Sequence, residues 1–350
     1  MRARVSQLAV SSNQSAQLNA QWSETQRPET QRPETQQPQT HQASMASGNT
    51  RGQRRSSGAR RIRRNAFLVA AGTVLALVNA VLISPASPGV FASDVFGSLR
   101  LPGDAAFIAG HRGDRSVAPE NTIPAFVAAL QNPSMQFVET DVQLSRDGVP
   151  MLFHDSTLKR IAGSPKRVDE LTELELKKLD VGAFYGKDFV GERMPTLREF
   201  LELAKGYDKQ LLIELKADWT TEQLVPVLAA IEESGMAPQV MLQSFSIETL
   251  QSLIRSETRL PRLMLIRELP EDPVPMATQL GVLAMATTAK AVTASPEAVQ
   301  RLHEAGLGVL CYTLNSEQSW AEVQALGVDG IITDTPSDLD GWLAANAPGT

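Results

Sequence analysis

Seven polar residues sit at or just beyond the ends of short apolar runs, and their types restrict the chemistry they could do: His111, Arg112, Glu139, Asp141, His154, Glu214 and Lys216. Glu139 and Asp141 lie two residues apart in the apolar run 137–142, so on a strand they point to one face. Glu214 is flanked by Ile213 and Leu215 in a second such run. A carboxylate buried alone is costly to desolvate, so three of them in apolar strands need a cation or strong donors. Two arrangements meet that need. The carboxylates turn to solvent or pair with Arg and Lys, or they share one divalent metal ion. Their positions at strand ends favour the metal, and an all-oxygen ligand set favours a hard ion, Ca²⁺ or Mg²⁺, over Zn²⁺. His111 and His154 stand beside charged neighbours, where two imidazoles suit an acid and base near neutral pH. Arg112 and Lys216 add positive charge to the same rim, which points to an anionic, phosphate-like substrate. The residues alone thus describe metal-assisted phosphoryl or related anionic chemistry. His303, in Gln300-Arg301-Leu302-His303-Glu304, reads as a solvated residue on a helix face. The single Cys, Cys311, excludes a disulfide framework and a Cys-based zinc site, and its apolar run makes it a buried small hydrophobe.

These side chains need a scaffold that brings distant segments to one rim. Eight short apolar runs recur along the chain, at 105–109, 137–142, 211–215, 240–243, 263–266, 282–285, 309–313 and 330–333. Each is too short for a helix and rich enough in Val, Ile, Leu and Met for a strand buried on both faces. Helical patterns fall between them, at 220–234, 247–255, 296–305 and 317–326 among others. Pro296 suits a first helical position, and Gly306 and Gly327 suit helix ends. Strands alternating with helices over residues 104–346, near the ~250 residues usual for the fold, predict an α/β protein of the (β/α)₈ TIM-barrel type. A doubly wound open sheet is the rival, and the lack of G-x-G-x-x-G after the first run counts against its nucleotide-binding forms. In a barrel, catalytic groups come from the C-terminal strand ends, where the seven residues fall.

The same residues carry a family resemblance. Gly110-His111-Arg112-Gly113 with Pro119-Glu120-Asn121-Thr122 resembles the opening motif of the glycerophosphodiester phosphodiesterases. Val138-Glu139-Thr140-Asp141-Val142 resembles the family's metal-binding strand, and Asp147-Gly148-Val149-Pro150 with His154-Asp155, then Thr157-Leu158 and Arg160, its second histidine motif. The segment 156–195 resembles the family's insertion, Glu214-Leu215-Lys216 its third acidic motif, and Gln243-Ser244-Phe245 and Asp329-Gly330-Ile331-Ile332-Thr333-Asp334 its later strands. The resemblance implies hydrolysis of a glycerophosphodiester to an alcohol and glycerol 3-phosphate through a cyclic phosphate. By analogy Glu139, Asp141 and Glu214 would hold one divalent cation, and His111 and His154 would be the acid–base pair. Arg112 and Lys216 would grip the phosphate, with Glu120, Asn121 and Asp155 as supporting partners. Where the family often has Trp this chain has Tyr312, which keeps an aromatic wall against the glycerol moiety and changes its shape. A membrane-surface phosphodiesterase of the lysophospholipase D type is the nearest rival activity. A non-catalytic tethered binding protein would predict loss of a histidine or metal carboxylate, and none is missing.

The 350 residues carry a net charge of −6, unevenly spread. Residues 1–65 hold eleven Arg, no Lys and three Glu, a charge of +8, so the remainder carries −14. An acidic body does not suggest nucleic acid as a partner. The tail 1–65 is rich in Gln, Ser, Thr and Pro, too polar to build a core, and is expected to be disordered. Met45 offers a second candidate start within it. An 18-residue apolar stretch follows at 66–83, just long enough to span a bilayer, and then a linker at 84–103. The arginines before the stretch place its N-terminal side in the cytoplasm, so the barrel is expected on the periplasmic or extracellular side. An uncleaved anchor and a cleaved signal peptide both fit. The long basic lead-in favours the first, and Val90-Phe91-Ala92 before Ser93 favours the second. Arg63-Arg64-Asn65-Ala66-Phe67-Leu68 resembles a twin-arginine signal with its spacing off by one. An anchored enzyme should fractionate with membranes at the mass of the whole chain. A soluble product shorter by the leader would identify cleavage instead.

Overall fold

The computed structural model describes residues 91–347. The expected tail, the apolar stretch 66–83 and the first part of the linker, 84–90, lie outside the described residues. Nine strands form one sheet: β1 (Phe107–Gly110), β2 (Met135–Leu144), β3 (Pro150–Leu152), β4 (Gln210–Leu215), β5 (Val240–Ser244), β6 (Arg262–Leu265), β7 (Ala284–Thr287), β8 (Gly308–Cys311) and β9 (Gly330–Thr333). Eight of them pair in parallel, and β1 bonds to both β2 and β9, which closes the barrel. All eight expected runs form these strands, with ends shifted by a few residues. The addition is β3, a short strand antiparallel to the far end of β2, where Val142 faces Leu152.

Alternation along each strand sorts the side chains. Val138, Val142, Leu211, Ile213, Leu215, Val240 and Leu242 face outward into the larger core, under helices such as Ile123–Gln131, Leu197–Ala204 and Thr221–Ser234. The residues between them, Phe107, Ala109, Phe137, Leu212, Met241, Leu263, Leu310 and Ile332, fill the barrel interior. Thr196 and Thr220 each cap a helix reciprocally with Glu199 and Gln223, which satisfies free backbone donors where the chain leaves a loop. In the segment 156–195, short helical turns gather Leu158, Ile161, Val168, Leu171, Leu176 and Val181 around Met151, Phe153 and Met194 as a small separate core.

The base of the barrel is aromatic. Phe107 and Phe137 stack at 4.5 Å, and Phe96, from the short helix Ala92–Phe96, tilts against Phe107 at 5.0 Å. This corrects the reading of residues 84–103 as linker throughout, because Ala92 and Phe96 are buried and belong to the interior core. The segment is held further by Asp329, whose Oδ1 accepts the Arg100 amide at 2.8 Å. Room for these rings is made by Gly308 and Gly330, where a Cβ would overlap Phe96 and Phe107 respectively. Gly330→Ala is therefore expected to cost about 1–3 kcal/mol of stability through overpacking. Urea unfolding measures it, and a loss under about 0.5 kcal/mol would show that the Phe107 ring is free to shift.

Candidate active site

Following the inward face of each strand from the base to the C-terminal end leads from apolar to polar residues. On β2 the series is Phe137, Glu139, Asp141; on β4 it is Leu212, Glu214; on β5 it is Met241, Gln243. Register sets Asp141 beside Glu214 and Glu214 beside Gln243 on neighbouring strands. Glu139, Asp141 and Glu214 are all buried, and one oxygen from each lies within 4.8 Å of the others. His111 and Asp334 continue the inward faces of β1 and β9, and Tyr312 that of β8.

Each carboxylate is partly answered. Glu139 accepts the Arg112 amide at 2.9 Å and the Gln243 side chain at 3.3 Å. Asp141 Oδ2 accepts from Asn121 Nδ2 at 2.9 Å and lies 3.3 Å from Arg112 Nε. Lys216 Nζ is 2.8 Å from Glu214 and 3.3 Å from Asp141 Oδ1. That second distance is an ion pair without hydrogen-bond alignment, and Asp141 Oδ1 has no hydrogen-bond partner. Burial, then the charges of Asp141 and Glu214, push the Glu139 carboxyl well above its ordinary range. Burial also raises Glu214, against the pull of Lys216. Asp141 moves the other way, since Lys216 and Arg112 outweigh its burial. A buried oxygen without a partner and an all-oxygen set crowded with like charge fit one hard divalent cation.

The loops that deliver these donors adopt costly backbone conformations. Arg112 (φ 60°), Asn121 (φ 53°) and Ala217 (φ 61°) are three of the four non-glycine residues with positive φ among those described. Such positions cost roughly 1–3 kcal/mol each and persist only where surroundings fix them. Here the Arg112 amide is fixed by Glu139 and its carbonyl by the Asn121 amide at 3.0 Å. Gly113 has φ 86°, and a Cβ there would sit 2.8 Å from the Ala125 carbonyl, so this turn requires glycine.

Both histidines are oriented by an aspartate. His111 Nδ1 lies 2.7 Å from Asp334 Oδ1, and its Nε2 accepts from Arg112 Nε at 3.2 Å, so Nδ1 carries the proton in this tautomer. Burial lowers the His111 pKa, with Arg112 adding to the effect and Asp334 opposing it. His154 Nδ1 lies 2.9 Å from Asp155, which Arg160 clasps from outside at 2.7 and 2.9 Å. Hydrogen bonds from His154 and Arg160 overcome burial and lower the Asp155 pKa. Asp334 is lowered in the same way by His111 and Arg115. Glu120 accepts from Arg112, Arg115 and Arg160, and despite its burial these guanidinium groups hold its pKa at about 2.

This mouth, built from the ends of separate strands, has known counterparts. Residues 111–338 match the glycerophosphoryl diester phosphodiesterase family. The chain belongs to that family. A glycerophosphodiester phosphodiesterase of Caldanaerobacter subterraneus is 31% identical, over 66% of this chain and 95% of its own. An Oleispira antarctica phosphodiesterase solved with the product sn-glycerol-3-phosphate is 26% identical with a TM-score of 0.63, covering 67% of this chain and 96% of that one. The Agrobacterium tumefaciens glycerophosphodiester phosphodiesterase is 29% identical with a TM-score of 0.59, covering 67% and 98%.

The predicted site residues His111, Arg112, Glu120, Asn121, Glu139, Asp141, His154, Asp155, Glu214, Lys216 and Tyr312 all lie at or around this mouth, while Cys311 is buried in the outer core. His303 is not a solvated face residue: its Nε2 lies 2.9 Å from the fully buried Asp329. Tyr312 donates to the Ile266 carbonyl at 3.0 Å and meets Phe245 edge-on, which fixes the ring. Asp334, Arg115, Arg160 and Gln243 were not chosen as site residues. Asp334 lies two residues beyond the inward Ile332, so strand alternation carried to the end of β9 points to it.

The raised carboxyls make cation binding pH-dependent. Glu139 and Glu214 titrate higher folded than unfolded without a cation. In that window the folded chain keeps protons the unfolded chain has lost, so cation-free stability falls as pH rises. A bound divalent ion replaces those protons, so its stabilisation should grow with pH. Thermal melts with Ca²⁺ or Mg²⁺ against chelator, between about pH 5 and 8, should show a widening gap. A constant gap would remove these two carboxyls from the binding step.

Proposed function

We propose that this family member hydrolyses a glycerophosphodiester to an alcohol and sn-glycerol 3-phosphate, with His111 and His154 exchanging the roles of acid and base. The observation that carries this reading is the buried triad of Glu139, Asp141 and Glu214 on the inner strand faces, in a mouth that also holds two histidines fixed by aspartates. The cation we assign to the triad is Ca²⁺ or Mg²⁺; when bound it supplies positive charge to the phosphoryl oxygens.

The chain's own groups carry the rest. His111, kept neutral by burial and holding its proton on Nδ1, offers the unprotonated Nε2, freed when Arg112 Nε turns from it to the phosphate, to take the proton of the glycerol 2-hydroxyl as that oxygen attacks phosphorus. His154 gives a proton to the departing alkoxide, so the alcohol leaves and the glycerol phosphate is closed into a cycle. In the second step His154 takes a proton from water, and His111 returns one to the 2-oxygen as the cycle opens. Asp155 and Asp334 favour the positively charged rings that form. Arg112 and Lys216, now paired with carboxylates, face the position of the phosphate and favour its negative charge. Tyr312 bounds the glycerol side.

Export belongs to the same proposal and rests on the arginines preceding the apolar stretch 66–83. Among the described residues no helix is long and apolar enough to cross a membrane. A second reading, a lysophospholipid substrate at a membrane surface, has the support of exposed Leu174, Phe184, Tyr185 and Val190 on the inserted segment.

Residues from about 93 onward should release glycerol 3-phosphate from glycerophosphocholine in the presence of Ca²⁺ or Mg²⁺. Chelation should abolish this, and His111→Ala should lower kcat by about 10²–10⁴-fold. Activity that survived both would overturn the mechanism. Glu139→Gln should weaken cation affinity by about tenfold or more. A panel that includes lysophosphatidylcholine separates the two substrate readings.

A further inference from the structure

The two histidines are joined by a continuous chain of charged groups. From one end, His111 Nδ1 meets Asp334 Oδ1 at 2.7 Å, and the same oxygen accepts from Arg115 Nη1 at 2.7 Å. Arg115 Nη2 then donates to Glu120 Oε2 at 3.0 Å. From the other end, His154 Nδ1 meets Asp155 at 2.9 Å, and Arg160 holds both oxygens of that carboxylate. Arg160 also holds both oxygens of Glu120, at 2.9 and 2.7 Å. The order is His111, Asp334, Arg115, Glu120, Arg160, Asp155, His154. It runs almost symmetrically about one carboxylate whose side chain is only 5% exposed.

We propose that Arg115 and Arg160 are positioning residues, one for each histidine, and that Glu120 ties them together so that both rings are held in register. An aspartate alone can swing about its own side-chain bonds and take its imidazole with it. A guanidinium fork anchored on a second, buried carboxylate removes that freedom, because its donors lie in one plane at fixed angles. Neither arginine needs to touch substrate for this. Arg115 stands in the loop after β1 and Arg160 in the helix Lys159–Ala162 of the inserted segment, so the device also docks that segment to the barrel. A second link crosses the same joint, where Tyr185 donates to the Arg115 carbonyl at 3.1 Å. The inserted segment thereby acquires a role in setting the catalytic geometry besides any role in substrate contact.

This inference rests on the proposed acid–base roles, and its test separates the two. The reaction is followed with two glycerophosphodiesters, one with an alkyl leaving alcohol (glycerophosphocholine) and one with an activated aryl leaving group (glycerol 3-phospho-p-nitrophenol). An aryl oxide departs without protonation, so a misplaced acid matters little for it, whereas a misplaced base affects both esters. Arg160→Ala should lower kcat by about 10–100-fold on the alkyl ester and under about threefold on the aryl ester, with little change in KM. Arg115→Ala should lower both to a similar extent. Arg160→Lys should behave like Arg160→Ala, since an ammonium lacks the planar fork that grips both oxygens of Asp155 and both of Glu120 at fixed angles. Glu120→Gln keeps the volume but also loosens Arg112, which donates to Glu120 at 2.7 Å, so it should lower kcat on both esters and raise KM, unlike the arginine variants. Urea unfolding midpoints of all four variants report folding separately. If the leaving-group dependence appears in Arg115→Ala instead, the positioning pair stands and the histidine roles are exchanged. Equal losses on both esters in both arginine variants, or full activity in Arg160→Lys, would overturn the positioning role. Retention of activity in His111→Ala would instead overturn the acid–base reading beneath it.

Discussion

Three carboxylates gathered in the mouth of a barrel set the terms for everything around them. Left alone, Glu139, Asp141 and Glu214 would repel one another in a site that excludes most water, and burial already drives Glu139 and Glu214 toward their protonated forms. The surrounding structure is arranged to keep the cluster usable. Arg112 and Lys216 are drawn to Asp141, which stays the most acidic of the three. The backbone amide of Arg112 is turned toward Glu139, which requires a left-handed residue directly after His111. The positions of His111, Gly113 and Asn121 follow from that one turn.

The cost of such a mouth is borne at the opposite end of the same strands. A barrel interior has two polar limits, and this one fills its lower part with Phe96, Phe107 and Phe137 and its middle with Leu212, Met241, Leu263 and Leu310. Those contacts involve no reacting atom and have no reason to be strained. Glycines at the starts of β8 and β9 admit the rings. One strand therefore serves both ends: Phe137 packs the base, and Glu139 and Asp141, two and four residues on, enter the site. A slip of one residue on β2 would bury Thr140 and Val138 inward and lose both carboxylates, so packing at the base also fixes register at the top.

The parts of this site legible in the sequence are those that depend on strand period and strand ends. Glu139 and Asp141 share a face because they are two apart, and Glu214 stands out as an acid between Ile213 and Leu215. The barrel itself follows from eight apolar runs separated by helical patterns. What escaped was the pairing set by loops, including the partner of Arg160, a residue noted only as part of a motif. Arg115 reaches Asp334 across 219 positions of sequence, and Arg160 reaches Glu120 across 40. No local period encodes either meeting, since both arginines sit in segments whose course depends on the finished barrel. The helix Ala92–Phe96 was hidden for a similar reason: five residues beside a Pro- and Gly-rich stretch have no distinguishing pattern until Phe96 is seen against Phe107. His303 looked ordinary because Asp329, its partner, belongs to the opening of the last strand and not to its own helix.

Charge counted over the whole mouth explains why one particular valence suits it. Six carboxylates are linked there by ion pairs or by the triad itself: Glu120, Glu139, Asp141, Asp155, Glu214 and Asp334. Four cations answer them, Arg112, Arg115, Arg160 and Lys216. With all carboxylates ionised, His111 neutral and His154 carrying the proton it gives up, the sum is −1. A monovalent ion would only neutralise the mouth, and a trivalent one would leave two charges in excess. A divalent ion leaves one positive charge, which matches the single negative charge of the substrate in a site whose donors are already oriented. The acidity of the barrel as a whole is then no obstacle to a phosphate substrate, because the excess that matters is confined to the ends of two strands, β2 and β4, and is outweighed by the ion they would hold.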